Sequence, residues 1–198
     1  MLSAHPKEIV MNKNLILCCI ASALALPVCA ADSYTIDPEY TLPTFEVEHL
    51  GFTTQRGRFD KTEGRVMLDL AAQKGIVEFT IYTNTLDMGS RAWTVHVSGP
   101  GLFNIEQFPT MGFKSDQLQF VGSKVVSADG QFTMLGVTKP LKVTVNNFQC
   151  GVSPIDKRNM CSGNITGTLK RSDFGLTKYI PAVSDEVAID VPVDAYKN

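Results

Sequence analysis

The chain has 198 residues, 44% of them hydrophobic and 19% charged, with a formal net charge of −2. That is the size of one ordinary domain, with enough apolar side chains for a core of its own. A near-neutral balance without any basic run excludes nucleic acid as a partner.

Residues 1–30 read as an export signal rather than as part of the fold. Lys13 supplies a positive start, residues 15–26 are apolar apart from Ser22, and Pro27 precedes the small-residue pattern Val28-Cys29-Ala30. The apolar run of 12 residues falls short of the roughly 20 that a membrane helix needs. Cleavage after Ala30 is expected, and Met11 is a candidate true start. Taking residues 1–30 from 198 leaves 168; they hold two of the 18 basic and one of the 20 acidic side chains, so the remainder carries a net charge near −3. Three of the five cysteines leave with the signal. In an exported domain the remaining pair, Cys150 and Cys161, is expected to form a disulfide. No histidine or further cysteine stands near that pair, so no metal site is expected there.

Taken in order, the exported part reads as strands separated by turn residues. Residues 34–37 make a short strand stopped by Pro38. Residues 44–59, TFEVEHLGFTTQRGRF, begin with a clear alternation: Phe45, Val47 and His49 face one way, Thr44, Glu46 and Glu48 the other. Gly51 and Gly57, each followed shortly by an aromatic (Phe52, Phe59), predict one sharply curved strand that keeps feeding aromatics inward. Residues 65–70 and 76–83 form a hairpin across Gln73-Lys74-Gly75, with Val77, Phe79 and Ile81 on the inner face. Residues 87–104 break the pattern. A short helical insert near 88–98 is expected, ended by Gly99-Pro100-Gly101 and placed to cover the mouth of a barrel. Strands follow at 111–122, 130–137 and 139–148, with Asp129-Gly130 as a tight turn between the first two. A threonine-rich strand at 164–170 and a clean alternation at 186–196 complete the chain. Pro192 predicts a local edge or bulge in that last strand.

About eight antiparallel strands, one helical insert and no long repeat describe an all-β sandwich or barrel. The glycine–aromatic bends favour the barrel. Eight strands enclose just enough room for side chains or one slender ligand.

Five motifs, in order, carry a family resemblance: H-x-G-F-T-x-x-x-G-x-F (49–59), F-P-x-x-x-F-x-S (108–115), G-x-F-T-M-x-G-V-T-K-P (130–140), R-S-D-F-G-L (171–176) and V-S-D-E-V-x-I (183–189). Together they resemble the YceI-like family of exported lipid-binding proteins, through essentially the whole of 31–198. The resemblance implies an extended lipocalin-like barrel whose apolar tunnel holds a polyisoprenoid, such as the tail of a ubiquinone-like ligand, without a covalently bound cofactor. It also implies a periplasmic home in a Gram-negative bacterium. One segment departs from the family pattern: where members carry R-D-x-H-L, this chain has R-A-W-T-V-H-V (91–97), keeping Arg91 and His96 but placing Trp93 between them.

Under that resemblance Phe45, Val47, Phe52, Phe79, Ile81, Phe113, Phe120, Phe132 and Met134 are candidate tunnel-lining residues; the alternative for each is ordinary core packing. His49, Trp93 and His96 are candidates for contact with a head group at the tunnel mouth, with a satisfied core histidine as the alternative for His49. Neither a nucleophile elbow nor an acidic cluster beside the histidines is present, so no catalytic or metal residue is assigned. An enzyme acting on such a lipid, or a stress or interaction protein with a purely structural core, are the competing readings. Expected partners are an isoprenoid lipid and, transiently, a membrane at which it is exchanged. The Pro192 strand or another exposed edge could support a homodimer.

Overall fold

The computed structural model describes residues 1–3 and 31–198. Apart from its first three residues, the export segment expected at 1–30 lies outside the described residues.

Among the described residues the strands are β1 (Asp32–Ile36), β2 (Thr44–His49), β3 (Thr53–Phe59), β4 (Thr62–Asp69), β5 (Lys74–Tyr82), β6 (Leu86–Asp87), β7 (Thr110–Val121), β8 (Lys124–Met134), β9 (Val137–Val152), β10 (Asn159–Lys170) and β11 (Glu186–Lys197), with one α-helix, α1 (Arg91–Ser98). Eight of them close an antiparallel ring in the order β1-β4-β5-β7-β8-β9-β10-β11 and back to β1. The expected eight-stranded antiparallel barrel is therefore present. The remaining strands, β2, β3 and β6, extend one side of it beyond the ring.

The last strand organises both ends. One side of β11 pairs with β10 along its whole length. The other side pairs first with β2 at Ala188, Ile189 and Asp190 and later with β1 at Ala195, Tyr196 and Lys197. Pro192, which has no N–H to give, stands in the gap between these two partners, a local edge as its chemistry requires. Buried Thr41 fills that gap: its hydroxyl accepts from the Asp194 N–H at 3.2 Å, and its carbonyl accepts from the Thr62 hydroxyl at 2.8 Å.

Two expectations are corrected. Residues 44–59 are not one curved strand but the β2–β3 hairpin. Leu50 (φ 57°) and Gly51 (φ 69°) both adopt the left-handed conformation that a tight hairpin turn demands. Leucine is seldom found there, which is why the turn escaped a reading based on residue type. Gly57 has the other predicted role, a close approach: a Cβ there would collide with the Phe45 ring and the Met88 Sδ. Likewise Asp129-Gly130 is not a turn but lies inside β8, where a Cβ on Gly130 would meet the Lys114 carbonyl oxygen at 2.5 Å and the ring of Phe113. The turn between β7 and β8 falls at Gly122 (φ 61°), and that between β8 and β9 at Leu135 and Gly136 (φ 52° and 76°).

Inside the barrel the buried side chains form two clusters. One gathers Phe45, Phe59, Phe103, Phe132 and Phe174 toward the β2–β3 end; the other gathers Tyr34, Ile36, Leu68, Val125, Cys161 and Ala195. The second cluster includes the Cys150–Cys161 disulfide, with Cys161 buried within it and Cys150 packed against it; the bond joins directly opposed residues of β9 and β10.

Candidate functional site

The barrel interior is divided. A cavity of about 600 Å³ lies toward the β2–β3 end and a smaller one of about 160 Å³ beyond it. Ile81, Phe132, Ile189 and Val191 line both, so these four side chains form the partition between them. Alternation explains the apolar walls: in β11, Val187, Ile189, Val191, Val193 and Ala195 all face inward while Asp190 and Asp194 do not.

The large cavity is built from the top down by elements of different kinds. Its roof is α1, which presents Ala92, Trp93, His96 and Val97 to the interior and buries no residue completely. Threonine and valine make this a poor helix by propensity. It is secured from below, where Phe103 donates its N–H to the Val97 carbonyl at 3.0 Å and Met88 donates to the Thr94 hydroxyl at 3.1 Å. One wall is an aromatic triangle of Phe45, Phe59 and Phe103, with ring centroids 5.5 to 5.8 Å apart. Polar groups collect at the open side: His49 packs edge-on to Trp93 at 5.8 Å, and the Tyr179 hydroxyl lies 3.3 Å from His96 Nε2. The structure thus brings His49, Trp93 and His96 together on the rim of one cavity.

Of the other candidate residues, Phe45, Val47, Ile81, Phe132 and Met134 line the large cavity, and Phe79 and Phe113 line the small one together with Ile81 and Phe132. Phe120 packs half-buried against the second core cluster and lines neither cavity. Phe52 is a correction. It was expected to face inward, but it stands 90% exposed at the tip of the β2–β3 hairpin, turned outward by the left-handed pair before it.

Arg171 was missed as a wall residue. It is buried and lines the large cavity, with its guanidinium enclosed by backbone oxygens. Nε donates to Ser184 O at 2.7 Å, Nη1 to Leu176 O and Lys178 O at 2.8 and 2.9 Å, and Nη2 to Val183 O at 2.9 Å. Burial shifts its pKa down from the ordinary arginine value, opposed by the nearby charge of Asp185. Asp185 in turn accepts from the Ser172 N–H and hydroxyl at 2.9 and 2.8 Å, bonds that hold its carboxyl below the usual carboxylate range. Arg171 thereby ties the segment that forms the Tyr179 side of the mouth to the barrel. The available sign was its place at the head of R-S-D-F-G-L, followed by an irregular loop whose backbone carbonyls need partners.

Among the described residues no buried side-chain nitrogen or oxygen lacks a hydrogen-bond partner, and no group of three His, Cys, Asp or Glu could hold a metal ion. The arrangement is that of an amphiphile site: mostly apolar walls, a buried Arg171 already satisfied by backbone carbonyls, and the histidines and Tyr179 at the open side.

Comparison with known proteins agrees with this fold. The profile of the YceI-like domain matches residues 34–195. A UPF0312 protein of Shewanella denitrificans is 30% identical over 193 residues, covering 94% of this chain and all of the relative. Among solved structures, BcnA of Burkholderia cenocepacia superposes with a TM-score of 0.68 at 22% identity, over 80% of this chain and 98% of its own. A polyisoprenoid binding domain from Saccharophagus degradans superposes with a TM-score of 0.60 at 14% identity, over 83% of this chain and 98% of its own.

Proposed function

This chain belongs to the YceI-like family, and from that premise we propose that it is a binding and carrier protein for a polyisoprenoid lipid, in particular a quinone with an isoprenoid tail. The observation that carries the reading is the cavity of about 600 Å³ with predominantly apolar walls, where His49, Trp93, His96 and Tyr179 gather at the mouth and the buried guanidinium of Arg171 is satisfied by backbone carbonyls. Its volume lies within the range of about 300–1,000 Å³ usual for small-molecule sites. The tail enters first and lies against Phe45, Ile81, Met134 and Val187, while the head group stays at the mouth within reach of the two histidines. Each buried CH₂ contributes about 0.8 kcal/mol, so the tail alone supplies the affinity without a charged clamp. The apparent export segment and the disulfide support work in the periplasm of a Gram-negative bacterium, with transient contact at a membrane where the lipid is picked up or released.

The test is the cargo. Protein recovered from a bacterial periplasm is extracted with organic solvent and the extract analysed by mass spectrometry. An isoprenoid quinone present at near one per chain is the expected result. An empty barrel that also takes up no added quinone would overturn the reading.

A further inference from the structure

We propose that the rim of the large cavity is a membrane-docking surface that seats the open end of the barrel on a lipid bilayer. The proposal rests on the carrier reading and names the surface through which the cargo would pass. Leu50 and Phe52 at the tip of the β2–β3 hairpin, Trp93 on α1, and Tyr179 and Ile180 from the segment after β10 are all exposed. They come from three separate parts of the chain, yet they are continuous. The Leu50 N–H donates to the Ala182 carbonyl at 2.6 Å, His49 bridges to Val183, Trp93 packs on His49, and Tyr179 reaches His96. Leu50, Trp93 and Tyr179 are also cavity-lining. The patch is therefore the lip of the opening, unlike Val121 at the end of β7 and Ile155 on a turn, which stand exposed elsewhere.

A contiguous apolar patch around a concave opening marks an interaction surface. A bilayer is the occupant that the chemistry favours. A long apolar tail leaving through water would lose the burial that holds it, whereas a mouth pressed against hydrocarbon keeps the tail covered throughout. Tryptophan and tyrosine are the side chains that settle at the membrane–water boundary. Lys178, whose Nζ lies 5.0 Å from the Tyr179 ring centroid, places a cation at the level of lipid phosphates. Phe52 is the deepest probe: it lines no part of the cavity and projects from a turn where even a Cβ on Gly51 would meet nothing within 4 Å.

Trp93 is the chain's only tryptophan, and its position makes it the reporter. The exported protein, without added cargo, is mixed with phosphatidylethanolamine–phosphatidylglycerol vesicles whose acyl chains carry bromine. Docking predicts quenching of Trp93. Phe52→Ser is expected to weaken vesicle partition on the order of tenfold, and Phe52→Leu to restore most of it. Uptake of ubiquinone from detergent micelles should be the same in all three proteins. Unquenched Trp93, or equal partition of Phe52→Ser and the parent, would overturn the proposal. So would a dimer in solution that Phe52→Ser dissociates, which would assign the patch to a second copy of the chain. The vesicle measurement is read without cargo, so failure of uptake from micelles would count against the carrier reading alone.

Discussion

The two ends of the barrel are made from the same alternating strands, yet one holds a cavity of about 600 Å³ and the other about 160 Å³. At the narrow end β1 is inserted between β11 and β4, so the ring closes strand to strand. There Val125, Ala128, Leu141 and Val143 fill the interior, and Cys150–Cys161 joins β9 to β10. At the wide end the hairpin β2–β3 takes the place of β1 beside β11, and the roof is α1 and the Arg171-bound loop instead of a strand. The difference teaches that an inward apolar pattern specifies a lining, while the elements that close the ring decide whether the lining meets itself or leaves room. The narrow end is held by packing and a covalent bond. The wide end has its own aromatic cluster of Phe45, Phe59 and Phe103, but its roof and loop are anchored by hydrogen bonds and not by a covalent bond, which suits a part that must admit a guest.

The partition between the two ends offers the sharpest way to break this contrast. Phe132 belongs to both cavities and packs edge-on to Phe174, with ring centroids 5.7 Å apart. Phe132→Ala is expected to cost about 3–5 kcal/mol in a denaturant titration and to join the cavities, so that longer tails bind better than in the parent. Removing the staple of the narrow end by Cys150→Ser with Cys161→Ser should cost about 3 kcal/mol, seen as a lower midpoint of unfolding. Ligand affinity at the wide end should be unchanged. Arg171→Met strips four carbonyls of their donor at the wide end. A stability loss of about 2 kcal/mol is expected, together with faster ligand release in stopped-flow measurements, the reverse of the cysteine result. The smallest effect is in acid. Because the Asp185 carboxyl is held below its ordinary value by Ser172, its contribution is complete above the usual carboxylate range and disappears as pH falls through its depressed value. Thermal melts should show the Asp185→Asn variant losing less stability than the parent over that acid range.

Much of the container could be read from residue order. The alternation at 76–83 and 186–196 gave the faces of β5 and β11, because period-2 patterning is dictated by the strand itself. The helix at the mouth was placed by the failure of that pattern and by Gly99-Pro100-Gly101. What could not be read was set by backbone conformation and distant contacts. Leu50 in a left-handed turn looks like any strand leucine, so Phe52 was sent inward when it points out. Gly130 looks like a turn residue beside Asp129, but it is a glycine because the Phe113 ring occupies the place of a side chain. Arg171 shows its role only once Leu176, Lys178, Val183 and Ser184 are folded around it, since backbone acceptors leave no mark in a sequence.

The most direct measurement is a fluorescence titration of Trp93 with ubiquinone analogues of increasing tail length. If the wide end is the container and Phe132 its floor, affinity should rise with each added isoprene unit and then level off once the tail reaches the partition, with the plateau moved to longer tails in Phe132→Ala. A tailless head group that binds as tightly as a long-tailed quinone would contradict the assignment of the cavity to an isoprenoid tail.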